Sequence, residues 1–368
     1  MINKIMIMRK IAIIAAALCL LSACSRPVKD GAVVIKMSDF EEIRADSPFE
    51  LFEAEPRFVH LQAGEDNSFG FARISKIEIV GDKIYIFDEQ PRTYYRVLIF
   101  DLDGNPVAKI DSRGRGPNEY LQITDFAVDP AGNIWIADAQ KDVLFKYSEA
   151  GEMLESRPYT SEISKICCID GGKCLLGIAN WDVSDYAGTA LALADASAVI
   201  EQPLLPFPEM TDPNYVFGSE LSRGKSGVFY NWPIDDYLYE VSYDGALQNT
   251  YYFDFGSKTF PEKWRADVEP HEGELAEYQF LVGTYQITPR HIVCGMHKDD
   301  KWNAAVIDRE AKTIAYFDTR DSGYSLSGQY PGGSIWRLDA NCDTTLLPAA
   351  VRTWLDAGEE TIALLPLP

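Results

Sequence analysis

Several groups of side chains in this 368-residue chain have types and spacing that could do chemistry. Trp181, Tyr186, Trp232, Trp302 and Tyr324 are large rings in polar segments, where a ring can stack on a sugar or a peptide. Asp182, Asp185, Asp235 and Asp236 stand near them in sequence, as hydrogen-bond acceptors or as oxygen ligands for a cation. The run Arg113-Gly114-Arg115-Gly116-Pro117-Asn118-Glu119-Tyr120 sets two cations between glycines. A glycine-rich backbone can bring N–H groups onto a phosphate or carboxylate. Yet the run lacks the Gly-Lys-Ser/Thr ending of a nucleotide-binding loop, and no helical pattern follows it. A structural crossing, with Arg115 and Glu119 paired to neighbours, is the favoured reading. Asp88 and Asp138 end equivalent apolar segments. With Asp235 they could serve a metal-assisted hydrolase or lyase; a repeated Asp is more often a turn cap. His60, His271, His291 and His297 have no paired metal-ligand spacing, and no nucleophile motif is present. No cofactor is expected.

The elements that must position these residues are written twice between positions 71 and 157. Lys83–Asp88 and Val97–Gly104 recur as Asn133–Asp138 and Val143–Gly151, and Gly104 and Gly151 close equivalent turns 47 residues apart. Short apolar segments and Gly turns at such a period describe the four-stranded blade of a β-propeller. Weaker copies follow at 163–202, 217–253, 281–319 and 335–368, the last read as strands at Ile335–Leu338, Thr345–Ala349 and Thr361–Leu365. An acidic, helix-prone insertion at 256–280 interrupts them. Residues 58–368 without that insertion give about 48 residues per blade for six blades and about 41 for seven, so six is expected. The segment around Phe58–Leu61 should pair with the last blade and remove its free edge. Ala32–Met37 is a further short strand candidate.

Ahead of the ring stand Lys4, Arg9 and Lys10, the eleven apolar residues Ile11–Leu21, and then Ser22-Ala23-Cys24. Eleven residues are too few to span a bilayer, where about 20 are needed, and the pattern is that of a secretory signal. Its ending resembles a bacterial lipobox. The resemblance implies cleavage before Cys24, lipid on that cysteine, and a tether over 24–57. Loss of residues 1–23 takes the net charge from −22 to −25. Such a surface repels nucleic acid and anionic lipid headgroups, so the membrane partner is reached through lipid on Cys24. Cys167, Cys168, Cys174, Cys294 and Cys342 sit in apolar text and read as core residues.

Asp125–Asp138 with Val143–Gly151 resembles an NHL-type propeller repeat. Arg113–Tyr120, Tyr237-Leu238-Tyr239-Glu240 and Asp254-Phe255-Gly256 with Pro261 resemble signatures of the six-bladed β-propeller lipoproteins of Gram-negative gut-type bacteria. The resemblance implies an all-β ring of six four-stranded antiparallel blades over 58–368, in the cell envelope and anchored to the outer membrane. Within each blade, the tight A–B and C–D turns must share one face and the longer B–C and D–A connections the other. Function gathers on such loops. The expectation is therefore a non-enzymatic binding module for a glycan, peptide or envelope protein. Its candidate ligand-binding residues are Arg113, Arg115, Glu119, Tyr120, Trp181, Tyr186, Trp232, Asp235, Asp236 and Trp302.

Overall fold

The computed structural model describes residues 28–90, 93–212 and 221–367. The segment read as a secretory signal, and Cys24, lie outside them. The chain opens with three strands that belong to blades formed much later: β1 (Val33–Lys36), β2 (Glu41–Glu42) and β3 (Arg57–His60). Blade 1 is β4 (Ile74–Val80), β5 (Lys83–Gln90), β6 (Tyr94–Asp101) and β7 (Pro106–Ile110). Blade 2 is β8 (Asp125–Val128), β9 (Ile134–Asp138), β10 (Val143–Tyr147) and β11 (Met153–Pro158). Blade 3 is β12 (Ile163–Ile169), β13 (Lys173–Ile178), β14 (Thr189–Asp195) and β15 (Ile200–Pro206). Blade 4 is β16 (Ser222–Arg223), β17 (Gly227–Tyr230), β18 (Tyr237–Ser242) and β19 (Leu247–Asp254). Blade 5 is β20 (Phe280–Ile287), β21 (His291–Lys298), β22 (Lys301–Asp308) and β23 (Thr313–Asp318). Blade 6 joins β24 (Tyr324–Tyr330), β25 (Gly333–Leu338) and β26 (Thr361–Pro366) to β3.

The sequence dictates this layering. The middle strands β5 and β6 are buried almost throughout, because each covers a neighbouring blade on both faces, and they are spelled as unbroken apolar runs. The outer strand β7 alternates half-buried and exposed residues along most of its length, as a strand with one wet face must. Six apolar clusters fill the six seams, from Phe87, Phe126 and Phe145 between blades 1 and 2 to Val59, Ile77 and Ile335 between blades 6 and 1. No blade buries its faces alone, so the ring is one cooperative core.

Closure follows the expected route. β3 pairs antiparallel with β26, matching His60 to Thr361 and Arg57 to Leu364. The repeated turn glycines have a packing reason as well as a conformational one. Gly104 and Gly151 have φ of +86° and +78°, a region only glycine enters freely. A Cβ on Gly104 would lie 1.9 Å from the His60 carbonyl oxygen of blade 6, and one on Gly151 2.8 Å from the Lys109 carbonyl oxygen of blade 1. The C–D turn of each of these two blades thus presses on the outer strand of the blade before it.

Three expectations need correction. Much of the stretch 24–57 does not hang as a tether. β1 runs parallel to β19 as a fifth strand of blade 4, and β2 runs parallel to β23 as a fifth strand of blade 5. The polar segment around Tyr324, expected to present its ring for stacking, is the innermost strand of blade 6, and Tyr324 is fully buried. Its Ser, Gly and Gln content disguises it, because an inner strand facing a narrow axis needs small side chains. Finally, Thr345–Ala349 is not a strand. Asp343 caps a short 3₁₀ turn there, and the helix α1 (Ala349–Asp356) follows Pro348, burying Val351 and Leu355. The 256–280 insertion consists of short 3₁₀ turns at Gly256–Lys258, Glu262–Trp264 and Glu269–Glu277.

Candidate functional site

The inner strands surround an axis, and their polar side chains fill it. Lys76 and Glu78 are two apart on β4, so they point the same way while Ile77 and Ile79 point into a seam. The Lys76 ammonium lies 2.9 Å from Asp125 of β8 and 3.1 Å from Glu78. It also donates to the Phe126 carbonyl at 2.6 Å and to the Ile166 carbonyl at 3.3 Å. Asp125 accepts the Ile166 N–H at 2.8 Å, which brings in blade 3. From blade 4, Arg223 donates to the carbonyls of Val128 and Cys168 and lies 3.7 Å from Glu78. Burial opposes the Lys76 charge, but Asp125 and Glu78 outweigh it and hold the ammonium well above its ordinary range. The residual cavities on this axis are ≈ 70 and ≈ 20 Å³. These admit water and not an organic ligand. Around Lys76 and Arg223 the axis is closed to an organic ligand. The sequence reading missed Lys76, Glu78, Asp125 and Arg223; charges on one face of an otherwise apolar strand were the available signal.

The repeated carboxylates are caps. Asp88 accepts the N–H groups of Ala72 and Arg73 at 2.9 and 2.8 Å. Asp138 accepts those of Leu121 and Gln140 at 2.7 and 2.9 Å. Asp182 accepts the Glu162 N–H at 2.8 Å. In blades 1 to 3 an Asp at or beyond the end of the second strand pins the approach to that blade's first strand. Asp235 and Asp236 are turned inward to Arg265, at 3.5 and 2.6 Å. Asp88, Asp138 and Asp235 therefore do not converge, and no group of three or more metal-ligating side chains occurs among the described residues.

The other candidates separate by exposure. Tyr120 is fully buried and donates to the Tyr95 carbonyl at 2.6 Å. Glu119 folds back onto the Gly116 N–H at 2.7 Å, and a Cβ on Gly114 would strike its carboxylate at 1.9 Å. The loop's own carboxylate occupies the place an anion would take. Arg113 is exposed, with its guanidinium 4.9 Å from the centre of the Tyr95 ring, and Arg115 is exposed. Trp232 is buried edge-on against Phe207 at 4.7 Å. Tyr186 is half-buried, donating to the Ile200 carbonyl at 3.1 Å. Trp181 and Trp302, by contrast, are 58% and 39% exposed.

One more ring joins them. Tyr94 is 38% exposed, and it was not anticipated, since it reads as the first residue of an apolar strand. Tyr94, Trp181 and Trp302 are the exposed aromatic side chains among the described residues. All three stand at or beside B–C connections, in blades 1, 3 and 5. Two are braced. The Arg96 guanidinium lies 4.3 Å from the centre of the Tyr94 ring, while Trp302 stands edge-on to His297 at 5.5 Å and Phe280 at 6.4 Å.

The chain can be placed among known proteins on this geometry. A family model described as a domain of unknown function (DUF4934) matches residues 52–365. A Bacteroides fragilis protein described as exported has a similar structure at TM-score 0.70 and 16% identity, covering 91% of this chain and 100% of its own. A member of the DUF4221 family from Bacteroides vulgatus is similar at TM-score 0.54 and 12% identity, covering 84% and 96%. At these identities the likeness is one of fold. No curated protein matches the chain. No helix among the described residues is long and apolar enough to cross a membrane.

Proposed function

We propose, from the premise that the chain belongs to the DUF4934 family and has the fold of an exported Bacteroides protein, that it is an envelope binding module. It holds a glycan, peptide or protein partner on its loop-rich face. The observation that carries this reading is the one-sided placement of Tyr94, Trp181 and Trp302. A filled axis leaves the faces and rim for binding, and among the described residues the exposed rings all stand at the loop tips of one face. Exposed rings on a rigid scaffold are what an adhesive surface needs, because they contribute large contact area at little conformational cost. Lipid on Cys24, outside the described residues, would hold this face at a membrane. Replacing Cys24 with Ala should abolish labelling by a palmitate analogue and release the protein from the membrane fraction; unchanged labelling sinks that part.

The binding face is tested by capture from native envelope with lipid retained. The Trp181→Ala, Trp302→Ala double variant should lose its captured ligand. The Leu154→Ala, Val199→Ala double variant removes apolar surface elsewhere and should keep it. Loss from the second pair alone would assign binding to the wrong surface.

A further inference from the structure

The seam where the ring closes carries a groove of ≈ 1000 Å³. Its walls are the connection from β3 to β4, the end of the turn after α1, and the Tyr94 edge of blade 1. We propose that this groove is an oligosaccharide site for a neutral glycan, an inference that rests on the reading of the protein as a binding module.

The volume lies at the upper end of what organic-ligand sites occupy. Its framework is fixed before any ligand arrives. Buried Arg96 donates to Asp88 at 2.8 Å and to the carbonyls of Ser68 and Gly70 at 3.3 and 2.5 Å. With the Asp88 bonds to Ala72 and Arg73, this clamps the connecting loop at both ends of its last turn. On the opposite wall His60 lies 3.1 Å from Glu359 and stacks on Trp354 at 5.3 Å. The exposed Tyr94, Gln62, Glu65, Asn67 and Lys109 line this frame. An apolar sugar face needs a ring, and its hydroxyls need donors and acceptors together. Amide, carboxylate and ammonium groups supply both. The charge balance points the same way. On a protein of net charge −22, the groove sets Lys109 against Glu65, Glu359 and Glu360, while Arg96 is committed to Asp88. Such an acidic lining disfavours a polyanion.

The test uses the whole mature protein on an immobilised panel of neutral oligosaccharides (glucan, mannan, xylan and N-acetylglucosamine oligomers), beside sulfated and uronate polymers and unrelated peptides. Binding is expected to at least one neutral series. Tyr94→Ala, at an exposed side chain, and Asn67→Gly, which keeps the left-handed backbone of that position, should each weaken it by about ten-fold or more, while Leu154→Ala leaves it unchanged. No neutral binder, or neutral binding indifferent to both groove variants, overturns the proposal. Peptide or polyanion binding lost in the Trp181→Ala, Trp302→Ala variant would overturn the glycan groove and leave the binding-module reading standing. Loss of captured envelope ligand in neither aromatic nor control variants would defeat that broader reading instead.

Discussion

Blades 1 and 6 have the same four-stranded plan and reach it by opposite routes. Blade 1 is continuous, strand after strand from Ile74 to Ile110. Blade 6 takes three strands from the end of the chain and its fourth from Arg57–His60, with a helix inserted between its second and third strands. The axis shows the same contrast. On the side of blades 1 to 3, Lys76 and Asp125 bind three blades through charged hydrogen bonds. On the side of blades 5 and 6, the buried amides of Gln286 and Gln329 have no protein partner among the described residues. The side of blades 1 to 3 carries dense polar bonding, and the side of blades 5 and 6 relies on apolar packing and on the borrowed strands β2 and β3.

The largest expected effect comes from removing those strands. Deletion through Leu61 should leave β26 as a bare edge and open the seam holding Val59, Ile335 and Leu364. Cooperative melting should be lost and aggregation should follow. A shortened protein that stays monomeric with an unchanged melting temperature would show that blade 6 does not need its borrowed strand.

Next in size is the continuous side. Lys76→Met leaves Asp125 buried without its cation and Glu78 with only the longer Arg223 contact, and breaking such a group costs about 3–5 kcal/mol. The denaturation midpoint should fall accordingly, with partial recovery when Asp125→Leu is added. Equal stability of wild type and Lys76→Met would remove the polar side of the comparison.

A direct comparison across the two kinds of seam uses Gly104→Ala and Gly151→Ala. Both suffer a left-handed backbone, worth about 1–2 kcal/mol. Only at the closure does the new Cβ meet a carbonyl oxygen at 1.9 Å rather than 2.8 Å. Gly104→Ala should therefore be the more destabilising by about 1–3 kcal/mol in matched urea titrations; the reverse order would mean the closing seam yields more easily than a continuous one.

The smallest effect is pH-dependent and belongs to blade 5. Burial depresses the affinity of His297 and His291 for protons. The unfolded chain then binds protons that the folded ring refuses, so stability declines as pH falls below about 6.5. His297→Gln should flatten part of that decline between about pH 7 and pH 5, above the range where the carboxylates titrate. An unchanged slope would mean that His297 accepts its proton without disturbing its stack on Phe280, 4.5 Å away.

What was legible in the sequence follows this same division. Blades 1 and 2 could be read because their buried middle strands are unbroken apolar runs and their turns need glycine for contact as well as for φ. Tyr324–Tyr330 could not, since an inner strand at a crowded axis is spelled with Ser, Gly and Gln. The pairing of Val33–Lys36 with β19 has no local pattern at all, because its partner is far along the chain. The candidate site shows a similar limit. Trp181 and Trp302 stood out by type and proved exposed, whereas Asp235 and Asp236 looked equally promising until Arg265, some 30 residues away, drew them inside. Sequence displays the kind of side chain; a distant partner decides whether it faces water.

The strap formed by β1, β2 and β3 also sets an order of events as the protein is made. Lys29 meets Tyr239 across 210 residues of chain, and β3 waits for β26, about 300 residues further along. Early-emerging segments must therefore stay unpaired through most of translation and any export. Loop closure over such separations is slow compared with hairpin formation. Blades 1 to 3 can form as nascent hairpins, and the strap, made before any of them, is among the last segments to find its place.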